Sequence, residues 1–253
     1  MKVQFIIVGW YYEKFPEFID QLIYLNRNFD RINIFWSCHK EPPNKIKDNF
    51  NYKLFPNIGL EDGAYQQAID YLNLSDDTIL FLMHDDMAIK NFKFIEVCID
   101  LLNKYKVIGN GINYADYINL DDEIKGYEGK KYIDFVKEDC KILFQNHNPK
   151  ELIKTIRLSF LCLTRRTLRE LYGFEVIWDA GEPTLNDKNK YVHNGNKPYG
   201  GIGNLQQLLF SYKVNKVFGS NSITYLSDKY QDSKYLFECN RGKEIKIKGT
   251  WEK

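Results

Sequence analysis

The sequence lacks the long apolar runs that mark membrane proteins. None of its apolar stretches approaches the roughly 20 residues that a membrane-spanning helix needs, so no transmembrane segment is expected. The apolar run Val3–Val8 near the start has no cleavage-site pattern. It predicts a first core strand rather than a signal peptide.

An excess of one charge and paired cysteines are also missing. The 35 Lys and Arg residues balance 34 Asp and Glu residues, so the clustered basic excess of a nucleic-acid binder is absent. The five cysteines are widely spaced and include no CxxC pair, which argues against a disulfide framework and a zinc site. Free thiols are typical of a reducing compartment, and we expect a cytoplasmic protein.

The chain does have the composition of a folded core. Its 253 residues are 44% hydrophobic and 15% aromatic, which argues against disorder and suits one large domain. In the first half, short apolar runs alternate with segments of helical periodicity. This order predicts an α/β fold with a mostly parallel central sheet flanked by helices. The predicted strands of this half are Val3–Val8, Ile32–Trp36, Tyr52–Phe55 and Thr78–Met83, and the predicted helices are Phe15–Leu25, Ala64–Leu72 and Phe92–Leu102.

The second half gives a weaker pattern. An apolar run at Ile156–Leu163 precedes a short predicted helix at Thr167–Leu171. A later helix and strand are predicted at Leu205–Tyr212 and Lys216–Tyr225. Residues 179–203 are rich in glycine, and we expect a long functional loop there.

Candidate chemistry begins where the fourth predicted strand ends. His84, Asp85 and Asp86 follow that strand, and ligands bind at the carboxyl ends of strands in such sheets. Two carboxylates at this edge can hold a hard cation such as Mg²⁺ or Mn²⁺. That cation can neutralise a diphosphate leaving group. The alternative is a strand-terminating turn whose aspartates only cap the next element.

A glycine-containing turn lies one helix upstream. Asn57 and Gly59 precede Gly63, and Gln66 lies in the helix that follows. Glycine lets a ligand approach the backbone, and a helix N-terminus favours phosphate. A simple strand-to-helix turn would contain the same residues.

Together these segments resemble the nucleotide-sugar-binding half of GT-A glycosyltransferases, especially the large inverting, family 2-like transferases. The resemblance rests on the segment after the first strand at Gly9-Trp10-Tyr11-Tyr12, on Asn57 to Ala68, and on a DxD-type motif within Phe81–Met87. It implies one GT-A-like, Rossmann-like domain over residues 1–253. Within it, residues 1–115 would bind the nucleotide sugar, residues 116–230 the acceptor, and residues 231–253 would form a C-terminal tail.

The resemblance also implies roles for single residues. Asp86 would bind Mn²⁺ or Mg²⁺, and Asp85 would contact the metal or the ribose. The donor would be a nucleoside-diphosphate sugar, with UDP- and GDP-sugars the first candidates, and the acceptor a glycan or another hydroxyl compound. The other donor-binding residues would be Gly9, Trp10, Tyr11, Asn57, Gly59, Gly63 and Gln66.

One family feature is missing from the sequence. The catalytic Glu-Asp pair usually precedes a late helix, but Tyr199–Gln206 contains no carboxylate. Direct inversion needs a base that takes the proton of the acceptor hydroxyl. Asp179 and Glu182, in the glycine-rich stretch upstream, are the candidate bases.

Two other functions stay open at this stage. A catalytically silent GT-A-like module that binds nucleotide or carbohydrate would explain the missing pair. A metal-dependent phosphohydrolase could use His84 and Asp85. Such sites need several histidines on helices, however, whereas His84 follows a predicted strand and the sequence has only four histidines.

Overall fold

A central sheet of seven strands organises the described part of the chain. The computed structural model describes residues 2–12, 16–111, 117–119, 152–174, 176, 184–185, 191–193, 197–228 and 233–238. The strands of this sheet are β1 (Val3–Gly9), β2 (Ile32–Cys38), β3 (Asn51–Leu54), β4 (Ile79–His84), β6 (Val107–Gly109), β9 (Phe160–Thr164) and β13 (Ile223–Tyr225). Their spatial order is β13-β6-β9-β4-β1-β2-β3. Strand β9 runs antiparallel to both neighbours and the other pairs are parallel, which confirms the predicted mostly parallel sheet.

Shorter strands form small sheets outside this centre. They are β5 (Met87–Ile89) paired with β14 (Leu236–Glu238), β7 (Tyr117–Asn119) paired with β8 (Leu152–Lys154), and β10 (Thr184–Leu185), β11 (Tyr191–His193) and β12 (Lys197–Pro198) in a third. The helices of the described residues are α1 (Pro16–Asn28), α2 (Asn44–Lys47), α3 (Leu60–Leu72), α4 (Phe94–Leu101), α5 (Arg165–Glu170) and α6 (Tyr199–Phe218). None of these helices is long and apolar enough to cross a membrane.

Hydrophobic side chains cover both faces of the central sheet. Because side chains alternate along a strand, Phe5 and Ile6 of β1 enter different core clusters. Phe5 packs in the cluster that includes α1 and α4, and its ring stacks on that of Phe81 with centroids 4.7 Å apart. Ile6 packs in the cluster that includes Ala64 of α3 and Phe210 of α6. Helices on both faces leave the strand ends as the place for a ligand.

Helices α3 and α6 depart most from their predicted bounds. Helix α3 begins at Leu60, four residues before the predicted start, and it contains Gly63 in its first turn. Helix α6 runs from Tyr199 to Phe218, although three glycines at its start disfavour helix. Tertiary contacts hold its later part, because the Ser211 hydroxyl accepts a 2.9 Å hydrogen bond from the Ile156 N–H. The strand predicted at Lys216–Tyr225 is therefore confined to Ile223–Tyr225.

Part of the expected C-terminal tail belongs to the folded structure. Leu236–Glu238 pairs antiparallel with Met87–Ile89, directly after the aspartate pair. The Lys90 ammonium also donates a 2.9 Å hydrogen bond to the Ser233 carbonyl oxygen. The sequence signal for this strand is weak because the strand is only three residues long.

Gly63→Ala is expected to lower the free energy of unfolding by about 3 kcal/mol, because overpacking against backbone is costly. An added Cβ would lie 1.7 Å from the Ile58 carbonyl oxygen. Urea denaturation measures the change. Gly109→Ala is the control, since Gly109 has no positive φ and its added Cβ would meet a side-chain ring, that of Tyr225 at 3.1 Å, instead of backbone. We expect a loss of about 1 kcal/mol there, and equal losses for the two variants would contradict the packing argument.

Candidate functional site

The carboxyl ends of β1, β2 and β4 meet at one edge of the central sheet. The strand register pairs Gly9 with Cys38 and Val8 with His84. The His39 N–H continues this pairing with a 3.2 Å hydrogen bond to the Gly9 carbonyl oxygen. Segments that are distant in sequence therefore converge where such sheets bind ligands. Asp85 follows directly after β4 at this edge.

Asp85 joins the segment after β1 to the end of β4. Its side-chain Oδ2 accepts a 2.7 Å hydrogen bond from the Trp10 N–H and a second, short hydrogen bond from the Tyr11 N–H. Burial raises the pKa of Asp85 to about 8, and the neighbouring Asp86 charge adds to the rise, while the N–H donors oppose it. A buried carboxylate with a raised pKa at a strand end is typical of functional sites.

Asp86 is the more accessible carboxylate of the pair, with 14% of its side chain exposed. Its Oδ1 lies 3.8 Å from Nδ1 of His84, whose ring stacks on Tyr65. No group of three or more His, Cys, Asp or Glu side chains in the described ranges is arranged to hold a metal ion. Mg²⁺ is commonly bound by one or two carboxylates together with substrate phosphates, and Asp86 suits that kind of site.

Trp10 offers an aromatic surface at the same edge. It is half-buried, and its ring centroid lies 6.2 Å from that of His39 in an edge-to-face arrangement. The Lys40 ammonium lies 5.9 Å from the same centroid. A partly exposed indole ring is suited to stacking on a planar ligand.

The Tyr12 side chain explains the glycine at position 9. Its hydroxyl lies 3.1 Å from both the Gly9 and the Lys40 carbonyl oxygens, and its one proton is shared between them in a bifurcated hydrogen bond. A Cβ on Gly9 would lie 2.5 Å from the Tyr12 ring, so a larger residue does not fit. Burial raises the pKa of Tyr12 far above its usual range and that of the adjacent Cys38 thiol to about 12. Both groups are therefore neutral at physiological pH.

The glycines of the upstream turn contact protein atoms. Gly59 has a φ of +69°, and its added Cβ would lie 2.3 Å from Cγ1 of Val176. Gly63 packs on the Ile58 carbonyl as described above. These contacts account for glycine at both positions, and the predicted donor-binding role of the two residues stays a prediction.

Asn57 differs from the glycines, because its polar atoms are unused. The residue is 5% exposed, and neither its Oδ1 nor its Nδ2 has a hydrogen-bond partner among the residues that the structure describes. Buried polar groups are nearly always paired, so an unpaired amide needs an explanation. A ligand that hydrogen-bonds to the Asn57 amide would be such an explanation.

Gln66 connects helix α3 to a later segment. Its Oε1 accepts a 3.0 Å hydrogen bond from the Phe174 N–H, and its Nε2 donates a 2.8 Å hydrogen bond to Asp70. An added Cβ on Gly173 would lie 2.4 Å from the same Oε1. These contacts give Gln66 a structural role, and its predicted donor contact is not tested by them.

The two candidate bases, Asp179 and Glu182, lie outside the described residues.

Arg165, which starts α5, is placed at the opposite edge of the sheet from Asp86. Its N–H donates a 2.9 Å hydrogen bond to the Thr78 carbonyl oxygen, just before β4 begins. Since the six residues of β4 span about 20 Å, Arg165 and Asp86 face different ends of the sheet.

Sequence reasoning missed a buried polar contact beside the upstream turn. Asp62 is fully buried in the first turn of α3, and its Oδ2 accepts a 3.2 Å hydrogen bond from Nε2 of Gln206. The same amide donates a 2.7 Å hydrogen bond to the Gly59 carbonyl oxygen. The available signal was an acidic residue near a helix start, which does not reveal a partner 144 residues away.

Comparison with known proteins places this fold. No protein-family model matches the chain, and no curated protein matches it significantly. S. aureus TarS 1–349, solved in complex with UDP-GlcNAc, is similar in structure, with a TM-score of 0.51 and 13% sequence identity. The match covers 96% of this chain and 60% of that one. The chain has a GT-A fold.

Other similar structures match less well. Glucosyl-3-phosphoglycerate synthase from Mycobacterium tuberculosis, solved with UDP, has a TM-score of 0.47 at 10% identity, covering 91% of this chain and 71% of that one. A putative glucose-1-phosphate thymidylyltransferase from Bacillus anthracis has a TM-score of 0.44 at 12% identity, covering 90% and 86%. The chain spans about 60% of the length of the TarS 1–349 fragment that it resembles.

Asp85→Asn is expected to raise the Tm at pH 8 and to change it little at pH 4. A carboxyl whose pKa is raised by folding stabilises the folded state fully below its unfolded pKa of about 4. That contribution is lost as the pH rises through about 8. Asparagine keeps an oxygen acceptor for the two N–H groups and does not ionise.

Differential scanning fluorimetry with EDTA, from pH 4 to pH 9, measures this effect. Asp100→Asn is the control, because Asp100 is exposed on α4. A Tm difference between Asp85→Asn and the unmodified protein that is constant with pH would contradict the assignment.

Proposed function

We propose that this protein is a glycosyltransferase that moves a sugar, most simply a hexose, from a nucleoside-diphosphate sugar to an acceptor hydroxyl. The observation that carries the proposal is the position of Asp86, beside His84 and close to the Asp85–Trp10 contact, at the carboxyl edge of a GT-A sheet. Fold alone does not fix function, so the proposal depends on these side chains. The UDP-GlcNAc bound by TarS supports a UDP-sugar as the first donor to test, followed by a GDP-sugar.

The donor would extend along the carboxyl edge. Its base would stack on the half-buried Trp10 ring, next to His39. The unpaired amide of Asn57 has both a donor and an acceptor for the polar part of the nucleotide sugar. Gly9, Tyr11 and the glycines before and within α3 would shape this surface.

Asp86 would bind Mn²⁺ or Mg²⁺, with the donor diphosphate completing the coordination. Such a cation neutralises the charge that develops on the leaving diphosphate. The carboxylate is partly exposed and therefore open to the ligand, whereas Asp85 is buried. The two neighbouring aspartates would thus have different roles.

The acceptor, a glycan or another hydroxyl compound, would attack the anomeric carbon of the sugar. In an inverting transfer, its oxygen forms the new bond while the bond to the diphosphate breaks. Asp179 or Glu182 would take the hydroxyl proton. Both residues lie between α5 and α6 in the sequence, within residues 116–230, the expected acceptor half. The cytoplasmic location predicted from the cysteines suits a soluble nucleotide-sugar donor and stays a prediction.

A binding module without turnover is the second candidate. The observation that favours it is the absence of any carboxylate from Tyr199–Gln206, at the start of α6. Slow release of free sugar from one donor, measured with Mn²⁺ present, separates the two functions. A transferase hydrolyses its donor at a low rate, whereas a module binds it and leaves it intact.

Asp86→Ala is expected to weaken the metal-dependent binding of UDP or GDP by at least tenfold, because one carboxylate is a large part of such a cation site. Isothermal titration with each nucleotide, with Mn²⁺ and with EDTA, measures the affinity. Asp77→Ala is the matched control, since it removes an exposed carboxylate before β4 instead of after it. Unchanged affinity in Asp86→Ala would contradict the proposed metal site.

A further inference from the structure

We infer that Asp85 and Tyr12 are positioning residues that hold the Trp10–Tyr11 segment in place for the nucleotide base, and that Asp85 does not ligate the metal. The inference rests on the proposed function, because it assumes that a nucleotide binds at this edge. It changes the role expected for Asp85 from the resemblance, which was contact with the metal or the ribose.

The hydrogen bonds of Asp85 orient its carboxylate toward the protein backbone. One oxygen, Oδ2, accepts from two consecutive backbone N–H groups, those of Trp10 and Tyr11. The residue is 3% exposed, and its own N–H donates a 3.1 Å hydrogen bond to the Val8 carbonyl oxygen. The side chain thus joins β4 to the segment that follows β1. A carboxylate held in this way is poorly placed to serve a cation shared with a ligand.

Tyr12 restrains the same segment from the other side. Its hydroxyl donates to the Gly9 carbonyl oxygen, one residue before Trp10, and to the Lys40 carbonyl oxygen after β2. Its ring fills the space that a Cβ on Gly9 would need. The backbone from Gly9 to Tyr12 is therefore attached to the ends of both neighbouring strands.

Two attachments fix the backbone that carries the indole ring before any ligand arrives. The ring itself lies beside the His39–Lys40 segment, with its centroid 6.2 Å from that of His39 and 5.9 Å from the Lys40 ammonium. A surface that is ordered in advance loses less conformational entropy on binding, so its fixation raises affinity. The function assigned to Asp85 and Tyr12 is this fixation.

Amide hydrogen exchange of the peptide that covers residues 9–12 tests the fixation without any ligand. We expect exchange in Asp85→Ala to be at least about tenfold faster than in Asp85→Asn, whose amide oxygen can still accept both N–H bonds. Tyr12→Phe removes only the hydroxyl and should also accelerate exchange in this peptide. Circular dichroism checks that each variant is folded. If Asp85→Ala does not fold, Tyr12→Phe still tests the fixation of the segment.

Metal and nucleotide binding then separate positioning from ligation. Free Mn²⁺ is followed by electron paramagnetic resonance in the presence of UDP and then of GDP. If Asp85 is a positioning residue, Asp85→Ala loses about tenfold more nucleotide affinity than Asp85→Asn, because only the alanine variant no longer holds the Trp10–Tyr11 segment. Equal and large losses of Mn²⁺ affinity in both variants, with slow exchange kept in Asp85→Asn, would assign Asp85 to the metal and overturn the inference.

Failure of the proposed function gives a different pattern. In that case the unmodified protein shows no nucleotide-dependent binding of Mn²⁺, although the exchange rates still report the state of the segment. If the unmodified protein binds nucleotide and Asp85→Ala leaves exchange at residues 9–12 unchanged, the inference is wrong and the proposed function stands.

Discussion

The hydrogen bonds from the Trp10 and Tyr11 backbone to Asp85 are the interaction on which the rest of the candidate site depends. They connect the ends of β1 and β4, which are neighbours in the sheet but 74 to 75 residues apart in the sequence. Without this connection, the segment after β1 would be attached only on the β2 side, through the Tyr12 hydroxyl. Trp10 would then lose its attachment to the end of β4, where Asp86 lies.

The connection also distinguishes two adjacent carboxylates. Burial and the charge of Asp86 raise the pKa of Asp85 to about 8, so its environment resists charge. Asp86 lies nearer to solvent and beside the His84 imidazole. A pair of like residues in unlike surroundings commonly has divided roles. The division here is between holding the backbone and receiving a ligand.

Much of the fold could be predicted from the sequence, because it depends on local patterns. The largely apolar β1, in which Gln4 is the polar residue, and the apolar run that ends at His84 are typical of strands covered on both faces. The extent of α6 could not be predicted, since its glycines favour a loop and its burial by other elements favours a helix. Strand β14 was missed for a similar reason, because its pairing with β5 depends on a distant segment.

The site was predicted less completely than the fold. The motif after β4 and the aromatic residues after β1 do lie at one edge, as the resemblance implied. The individual contacts of these residues, however, depend on how the chain folds. The sequence has no signal that Gly9 accommodates the Tyr12 ring, or that Gln66 binds the Phe174 backbone. These contacts with the protein explain why glycine and glutamine stand at the two positions, and the predicted ligand contacts of both residues stay predictions.

A crystal structure of the protein with UDP and Mn²⁺ tests the central claim most directly. The account predicts the base against the Trp10 ring, the cation on an Asp86 oxygen, and the Asp85 carboxylate still bound to the Trp10 and Tyr11 N–H groups. A nucleotide bound at the opposite edge of the sheet, near Arg165, would contradict the account.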